Sequence, residues 1–215
     1  MLILAFDTST PAVGVALLRG DEVIGHRERI DARRHGELLA PSIEAALADA
    51  GVPLRAVDVV AVGNGPGPFT GLRVGLVTAR SLSHALGVPA YGVCSLDALA
   101  AAAGAGELFV ATDARRREVY WASYAGGGRT AGPQVSKPAD IGEITGRRVG
   151  CGVALYAELL GPVDQGAPLY PPAEWIGRLV GRALERGETP DEVAPLYLRR
   201  PDAQVLEAKK AVLPV

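Results

Sequence analysis

The 215-residue sequence is 48% hydrophobic and 21% charged with a formal net charge of −2, so it can bury a sizeable core as one domain or as two small lobes. This balance gives no overall basic field, which argues against tight binding of nucleic acid by this chain alone at physiological salt, and a nucleic-acid partner is expected to be shared with another subunit. The two cysteines, Cys94 and Cys151, stand far apart and outside any C-x-x-C motif, which argues against a disulfide scaffold and a thiolate metal site.

The amino terminus predicts a protein that stays in the cytoplasm. Residues 2–6 form a short apolar run without a basic leader, and Asp7 follows too early for the core of a signal peptide. No other apolar run is long enough to cross a bilayer. We therefore expect a cytoplasmic protein with no membrane contact.

Apolar runs and turn residues in the first half predict the order β-β-β-α-β-α-β-α. The predicted strands are residues 2–6, 12–18, 22–30, 57–62 and 88–93, and the predicted helices are residues 35–50, 71–86 and 95–103. Three antiparallel strands followed by βα crossovers build a mixed five-stranded sheet with helices on its faces. The sequence therefore predicts an α/β lobe.

The second half starts as a weaker copy of the first. Residues 108–113 (LFVATD) repeat the pattern of residues 2–7 (LILAFD), and residues 118–124 follow as a second arm. Beyond the glycine run at 126–128 the pattern weakens, leaving a short strand at 148–151 and helices at 154–160 and 173–186. We interpret residues 1–104 as the first lobe and 105–215 as a reduced second lobe, with a surface tail from about residue 201.

A glycine-rich turn, Gly63-Asn64-Gly65-Pro66-Gly67-Pro68-Phe69-Thr70-Gly71, joins a predicted strand to a predicted helix. Such a turn directs backbone N–H groups at one point, where either an anion or a closely packed backbone fits. It matches neither the dinucleotide motif nor the Walker motif, so both interpretations stay open. The weak candidates for anion or nucleotide contact are Asp7, Thr8, Ser9, Gly65, Gly67 and Thr70.

Catalytic and metal-binding motifs are absent from the sequence. The three histidines, His26, His35 and His84, include no pair four residues apart, and no G-x-S-x-G elbow occurs. His35, at a predicted helix start, is expected to be a cap or a surface group rather than a base. Arg115, Arg116 and Arg117 follow Asp113 and are expected on the solvent face of a strand. We therefore predict no catalytic residue, no metal ligand and no cofactor.

The predicted helices 35–50 and 71–86 are apolar or small-sided around most of their circumference. One side is expected to pack on the sheet of this chain, and burial of the second side within the lobe is the alternative to a contact with another subunit. The candidate partner-binding residues are Leu38, Leu39, Ile43, Leu72, Leu76 and Ala79.

Five segments in this order resemble the bacterial TsaB family. They are Phe6-Asp7-Thr8-Ser9; His35-Gly36-Glu37-Leu38-Leu39-Ala40-Pro41; Gly65-Pro66-Gly67-Pro68-Phe69-Thr70-Gly71-Leu72-Arg73-Val74-Gly75; Asp113-Ala114-Arg115 with Glu118-Val119-Tyr120; and Pro195-Leu196-Tyr197-Leu198-Arg199. The resemblance implies an actin-like ATPase fold of the ribonuclease H-like group. It also implies a role in making N6-threonylcarbamoyladenosine next to the anticodon of tRNA.

The resemblance further implies a non-catalytic subunit. The related catalytic protein, TsaD, carries an H-x-x-x-H metal site at the segment where this chain has Ser95 and Leu99. A serine and a leucine cannot replace two imidazole ligands. In the family the two helices named above contact TsaD, an ATPase called TsaE joins the assembly, and tRNA is met only through the complex. Self-pairing of the free chain through the same surface stays open.

Two enzymatic alternatives remain beside this interpretation. One is an autonomous ATP-dependent phosphotransferase of the same fold that uses Asp7 and the glycine-rich turn. Pro68 stands where many relatives have serine, which removes a hydroxyl and an N–H from that turn. The other is a metallopeptidase, against which the histidine count argues strongly. Whether a nucleotide binds between the lobes is left open.

Overall fold

The structure is a computed structural model that describes residues 1–199; the predicted surface tail lies outside the described residues. It contains two mixed sheets with helices on their faces, which confirms the predicted α/β architecture. Within the described residues, no helix combines the length and the apolar character needed to cross a membrane.

The first sheet has the strand order β3-β2-β1-β4-β5. Its strands are β1 (Leu2–Asp7), β2 (Ala12–Arg19), β3 (Glu22–Ile30), β4 (Val59–Gly65) and β5 (Ala90–Cys94). β1, β2 and β3 pair antiparallel, whereas β1, β4 and β5 run parallel. The carboxyl ends of β1, β4 and β5 therefore lie at one edge of the sheet.

Helices α1 (His35–Asp49) and α2 (Phe69–Leu86) cover one face of this sheet. Leu39 and Ile43 of α1 and Leu72 and Leu76 of α2 join the buried side chains of β1 and β4 in one core. α2 ends at Gly87, whose φ of 67° is the left-handed conformation that glycine adopts at little cost.

The second sheet has the strand order β8-β7-β6-β9. Its strands are β6 (Leu108–Asp113), β7 (Val119–Ala125), β8 (Gly128–Ser136) and β9 (Arg147–Val149). β8 was not predicted, although it completes a three-stranded antiparallel start like that of the first lobe. β8 lacks the alternating apolar pattern by which strands are recognised, because it lies exposed at the edge of the sheet and contains two glycines and a proline.

The remaining α-helices within residues 1–199 are α3 (Ser95–Ala103), α4 (Cys151–Leu155), α5 (Ala157–Leu160) and α6 (Ala173–Glu185). Two of them, α3 and α6, connect the two halves. α3 follows the first sheet in the chain but packs Leu96 and Leu99 against the second sheet. α6 does the opposite, since Ile176 and Val180 join the core on the second face of the first sheet. We therefore propose that residue 104 separates the strands of the two sheets, whereas α3 and α6 each pack on the sheet of the other half.

Candidate functional site at the carboxyl edge of the first sheet

Asp7 is the centre of a buried polar network at this edge. Its Oδ1 accepts hydrogen bonds from the backbone N–H of Ser9 at 2.7 Å and from the Ser9 hydroxyl at 2.8 Å. Its Oδ2 accepts one from the hydroxyl of Ser95 at 2.6 Å. Burial raises the pKa of Asp7, and the hydrogen bonds from Ser95 and Ser9 offset only part of that rise. Both carboxylate oxygens are therefore engaged inside the protein.

The glycine-rich turn packs its backbone directly against Thr8 and Ser9. The Thr8 hydroxyl donates to the carbonyl of Gly71 at 2.7 Å and accepts from the N–H of Gly75 at 3.1 Å. A Cβ at Gly67 would overlap the carbonyl oxygen of Ser9, and one at Gly71 would overlap that of Thr8. Glycine is needed at these positions because two backbone segments are in close contact. This favours the interpretation of the turn as closely packed backbone over its interpretation as an anion site.

The six candidate anion contacts are thus only partly brought together. Asp7, Thr8 and Ser9 meet the turn as predicted, but they are buried and bonded to one another or to the turn itself. Gly65 and Gly67 are also buried, and only Thr70 is exposed. The anion site stays a prediction: Thr8 and Thr70 line a cleft between the lobes, whereas Asp7 and Ser9 are already hydrogen-bonded to each other.

Ser95 and Leu99 have structural partners in this fold. Ser95 is 1% exposed and donates to Asp7, and Leu99 is fully buried beside Leu108 and Val110 of β6. Within residues 1–199, no group of three or more histidine, cysteine, aspartate or glutamate side chains is placed to hold a metal ion. The positions at which the resemblance implies two imidazoles in TsaD are therefore occupied here by a hydrogen-bonded serine and a core leucine.

His35 differs from its prediction. It is the first residue of α1, but its ring is buried and its Nε2 lies 2.7 Å from the carbonyl oxygen of Thr10. It is therefore neither a cap nor a surface group, because it ties α1 to the turn after β1. Its ring also borders a cleft of about 210 Å³ between the lobes, which Arg33, Arg115 and Thr70 line as well.

The arginine run also departs from its prediction. Arg115, Arg116 and Arg117 lie in the turn between β6 and β7, not on a strand, and their φ angles are 61°, 55° and 61°. Three consecutive non-glycine residues with positive φ are rare because the Cβ atoms crowd the backbone. No local sequence signal predicts such a turn, since arginine does not favour this conformation.

Residues 191–199, here called the strap, run back across both lobes. The carbonyl of Asp191 accepts from the N–H of Gly92 at 2.8 Å, and the N–H of Leu196 donates to the carbonyl of Asn64 at 2.9 Å. Arg199 ends the strap, donating to the carbonyl of Ala114 at 3.1 Å and pairing with Glu118. The sequence identifies residues 195–199 as part of a family motif but does not predict the strap, because backbone hydrogen bonds between distant residues leave no periodic pattern in the sequence.

The predicted partner-binding residues require a correction. Leu39, Ile43, Leu72, Leu76 and Ala79 are at most 5% exposed and lie in the core beneath the helices. They cannot contact a partner, because the sheet of this chain already covers them; the alternative of burial within the lobe is correct for these five.

Leu38, the sixth predicted partner residue, is half-buried and also packs against this core. The outward face of α2 carries a different apolar residue, Val77, which is 61% exposed.

Known proteins resemble this chain over different lengths. The family model described as TsaD: tRNA N6-adenosine threonylcarbamoyltransferase matches residues 25–150, which is more than half of the chain. The uncharacterized protein Rv3421c of Mycobacterium tuberculosis is 45% identical over 95% of this chain and 94% of its own length. The tRNA threonylcarbamoyladenosine biosynthesis protein TsaB of Escherichia coli is 39% identical, but the alignment covers 58% of this chain and 55% of that protein.

A solved structure extends the likeness to the whole fold. YeaZ from Pseudomonas aeruginosa superposes with a TM-score of 0.78 at 34% identity, covering 92% of this chain and 99% of that one. The two mixed sheets and their helices thus form the actin-like fold that the sequence motifs implied. From the matched family model, the sequence relatives and this shared fold, we conclude that the chain belongs to the TsaB family.

Proposed function

We propose that this chain is a non-catalytic subunit of the tRNA N6-threonylcarbamoyladenosine transferase complex. In this proposal it docks on TsaD and supports the transfer of the threonylcarbamoyl group to the adenosine next to the anticodon. TsaE joins the same assembly, and tRNA is met through the complex. Membership of the TsaB family and the name of the Escherichia coli relative, a tRNA threonylcarbamoyladenosine biosynthesis protein, support this assignment.

The hydrogen bond from Ser95 to Asp7 carries the non-catalytic part of the proposal. The bond is 2.6 Å long and both side chains are buried. The carboxylate at this edge of the sheet, where an actin-like enzyme would present reactive groups, is therefore shielded from solvent and from a ligand. Leu99 is buried in the adjoining core, so the second position of the aligned metal motif has no polar atom to offer. The chemistry of the transfer then belongs to TsaD.

The autonomous phosphotransferase is less well supported by the same geometry. That activity would need the carboxylate of Asp7 to face a bound nucleotide or its metal ion. Asp7 is 1% exposed, and both of its oxygens accept hydrogen bonds from Ser9 and Ser95. The carboxylate would have to leave these partners before it could act on a ligand.

The docking surface is proposed to be the outward face of α1 and α2. Val77 is the large apolar side chain that α2 exposes, with Arg73 and Arg80 one helical turn away on either side. On α1 the exposed residues Ala40 and Pro41 are small enough to let a partner helix approach closely. The same face would serve self-pairing of the free chain, which competes with TsaD for it.

Replacement of Val77 by glutamate tests this surface. We expect Val77→Glu to reduce association with TsaD at least about tenfold, because a charge would be buried in the interface without a partner. The fold should survive, since the side chain is 61% exposed in the free chain. Co-elution from a size-exclusion column gives the association, and thermal unfolding by circular dichroism gives the stability.

Leu155→Glu is the matched control, because Leu155 is 58% exposed on α4 of the second lobe. It places the same charge on a comparably exposed apolar position, away from α1 and α2, and should leave co-elution with TsaD unchanged. The surface assignment is wrong if both variants co-elute with TsaD like the unaltered chain.

A further inference from the structure

We propose that one face of this chain binds single-stranded RNA. The face, here called the arginine face, consists of Arg33, the turn residues Arg115, Arg116 and Arg117, and the ring of Tyr197. Its arginines would hold the phosphate backbone, and Tyr197 would stack on an unpaired base. The inference rests on the proposed function, and it names the part of this chain that tRNA would touch.

The first observation is the backbone of the β6–β7 turn. Three successive arginines hold φ angles between 55° and 61°, a conformation that costs free energy for every residue with a Cβ. The turn is fixed from inside, since Asp113 accepts from the N–H of Arg115 at 2.8 Å and Ala114 donates to the carbonyl of Glu118 at 3.0 Å. Strain that the surroundings fix so firmly is typical of functional sites, and here it lies in a turn of three exposed arginine residues.

The second observation is the local concentration of positive charge in a chain whose net charge is −2. Arg33 and Arg115 line the same cleft of about 210 Å³ between the lobes, where Thr70 adds a hydroxyl. Asp113 lies 3.5 Å from Arg115, but within residues 1–199 neither Arg33 nor Arg117 forms an ion pair. Arg33 therefore lies beside the cleft without an ion pair to any described residue, and Arg117 lies in the adjoining turn. The planar guanidinium group matches the geometry of a phosphate, so these arginines favour a polyanion.

The third observation is an aromatic side chain on the strap, the segment that contacts the arginine turn through Arg199. Tyr197 is 42% exposed, packs on the ring of Phe69 at 4.8 Å between centroids, and accepts a hydrogen bond from Arg73 Nε at 3.4 Å. Two residues later, Arg199 bonds to the carbonyl of Ala114, which fixes the strap against the arginine turn. A supported ring on a segment that contacts the arginine turn favours RNA over an acidic protein, because unpaired bases stack on such rings.

The charge test compares two double variants in the complex with TsaD, using an unmodified tRNA transcript as the probe. R33Q/R117N removes two arginines of the face, and asparagine tolerates the left-handed backbone at position 117. R19Q/R55Q is the control, because Arg19 ends β2 beside the start of β1 and Arg55 precedes β4, both exposed at the opposite edge of the sheet. Both variants change the net charge equally.

We expect R33Q/R117N to raise the Kd for tRNA about tenfold at 0.1 M KCl, measured by fluorescence anisotropy. It should also reduce the slope of log K against log salt by about two, one for each lost phosphate contact. R19Q/R55Q should match the unaltered complex. An unchanged Kd and slope for R33Q/R117N would overturn the proposal. Loss of TsaD co-elution with tRNA binding intact would also overturn it, and would assign the face to an acidic protein surface.

Tyr197 is tested separately because its ring and its hydroxyl have different roles. Tyr197→Ala should weaken tRNA binding about tenfold by removing a stacking surface, whereas Tyr197→Phe should restore it although the bond to Arg73 is lost. Equal weakening by both variants would mean that the hydroxyl supports the strap and that no base stacks on the ring.

Failure of the proposed function would show in the unaltered chain, which would not co-elute with TsaD. The RNA proposal is then tested on the isolated chain by photo-crosslinking to a uridine-rich oligonucleotide that carries 4-thiouridine. The unaltered chain and R19Q/R55Q should crosslink, and R33Q/R117N should not. Equal crosslinking by all three, or by none, would overturn the inference.

Discussion

Asp7 shows how a residue type associated with phosphate chemistry is used here for structure. Its carboxylate accepts hydrogen bonds from Ser9 and Ser95, and a Cβ at Gly63 would overlap its Oδ2. The network therefore joins the end of β1 to the start of α3 and to β4. The residue pattern identified the right neighbours but not their roles, because a buried hydrogen bond and a ligand contact need the same side chains.

Asp7→Asn tests the structural role through pH. Asparagine keeps an acceptor for Ser9 and gains an N–H donor for Ser95 Oγ. Burial raises the pKa of Asp7 above its ordinary value of 3.8, so the stability that this group contributes is complete below that value and is lost as pH rises through the folded-state pKa. We therefore expect Asp7→Asn to be at least as stable as the unaltered chain at neutral pH, with the difference shrinking in acid, as measured by urea unfolding at several pH values.

Asp7→Ala is the comparison for this experiment. It leaves the Ser9 N–H and the Ser95 hydroxyl without their buried acceptor and should lower the free energy of unfolding by about 1–3 kcal/mol. A pronounced loss of stability in Asp7→Asn at neutral pH would contradict the account, because it would mean that the ionised form is needed.

The arginine turn is the residue-scale feature that could not be predicted. A run of charged residues on a surface hairpin is common, and nothing in the identities of Arg115, Arg116 and Arg117 indicates positive φ angles. Their conformation depends on Asp113 and on the strap, and the strap is remote in sequence. His35 was misjudged for a similar reason, because its acceptor, Thr10, lies on another element.

At the scale of elements, the glycine-rich turn and the start of α2 are set by close backbone contact. Gly71, the third residue of α2, faces the carbonyl of Thr8, whereas Gly36, the second residue of α1, has open space at its Cβ position. Glycine is therefore required by close packing at position 71, whereas at position 36 there is room for a side chain.

Alanine substitution should separate these reasons. We expect Gly71→Ala to lower the free energy of unfolding by about 1–3 kcal/mol, because its methyl group meets backbone that cannot move away alone. Gly36→Ala should raise it by about 0.5–1 kcal/mol, since alanine loses less conformational entropy in a helix. Chemical denaturation measures both, and equal effects of the two substitutions would show that the contact at Thr8 is not tight.

The elements were predictable where periodicity and burial agree. All five strands and three helices of the first half were found within a few residues, because buried strands and glycine-terminated helices carry strong local signals. The sequence does not distinguish the inward from the outward face of α1 and α2, because alanine and glycine do not reveal which side of a helix is buried. β8 was missed because an exposed edge strand lacks the apolar pattern.

At the scale of the whole molecule, the two lobes are interlocked rather than joined end to end. α6 supplies Ala173, Ile176 and Val180 to the core of the first sheet, and α3 supplies Leu96 and Leu99 to the second. The strap adds backbone bonds to Gly92 and Asn64 of the first lobe and to Ala114 of the second. Dividing the sequence by its repeated patterns does not predict that a helix or strap from one half packs on the other half.

This interlocking predicts that the first lobe does not fold alone. A fragment of residues 1–104 lacks α6 and would expose Ile3, Ala5, Ala16 and Leu18, all fully buried in the whole chain. We expect the fragment to be unfolded or aggregated by circular dichroism and proton NMR, and residues 1–199 to unfold in one cooperative transition. A fragment with dispersed amide signals and its own sharp transition would contradict this prediction.

The central claim is that this chain supports a transfer reaction whose chemistry belongs to its partner. The most direct measurement is the amount of N6-threonylcarbamoyladenosine formed on an unmodified tRNA by purified components, with and without this chain. We predict no product from this chain without TsaD, full product when Asp7→Asn replaces the unaltered chain, and little product with Val77→Glu. Product made by this chain in the absence of TsaD, or full activity with Val77→Glu, would contradict the account.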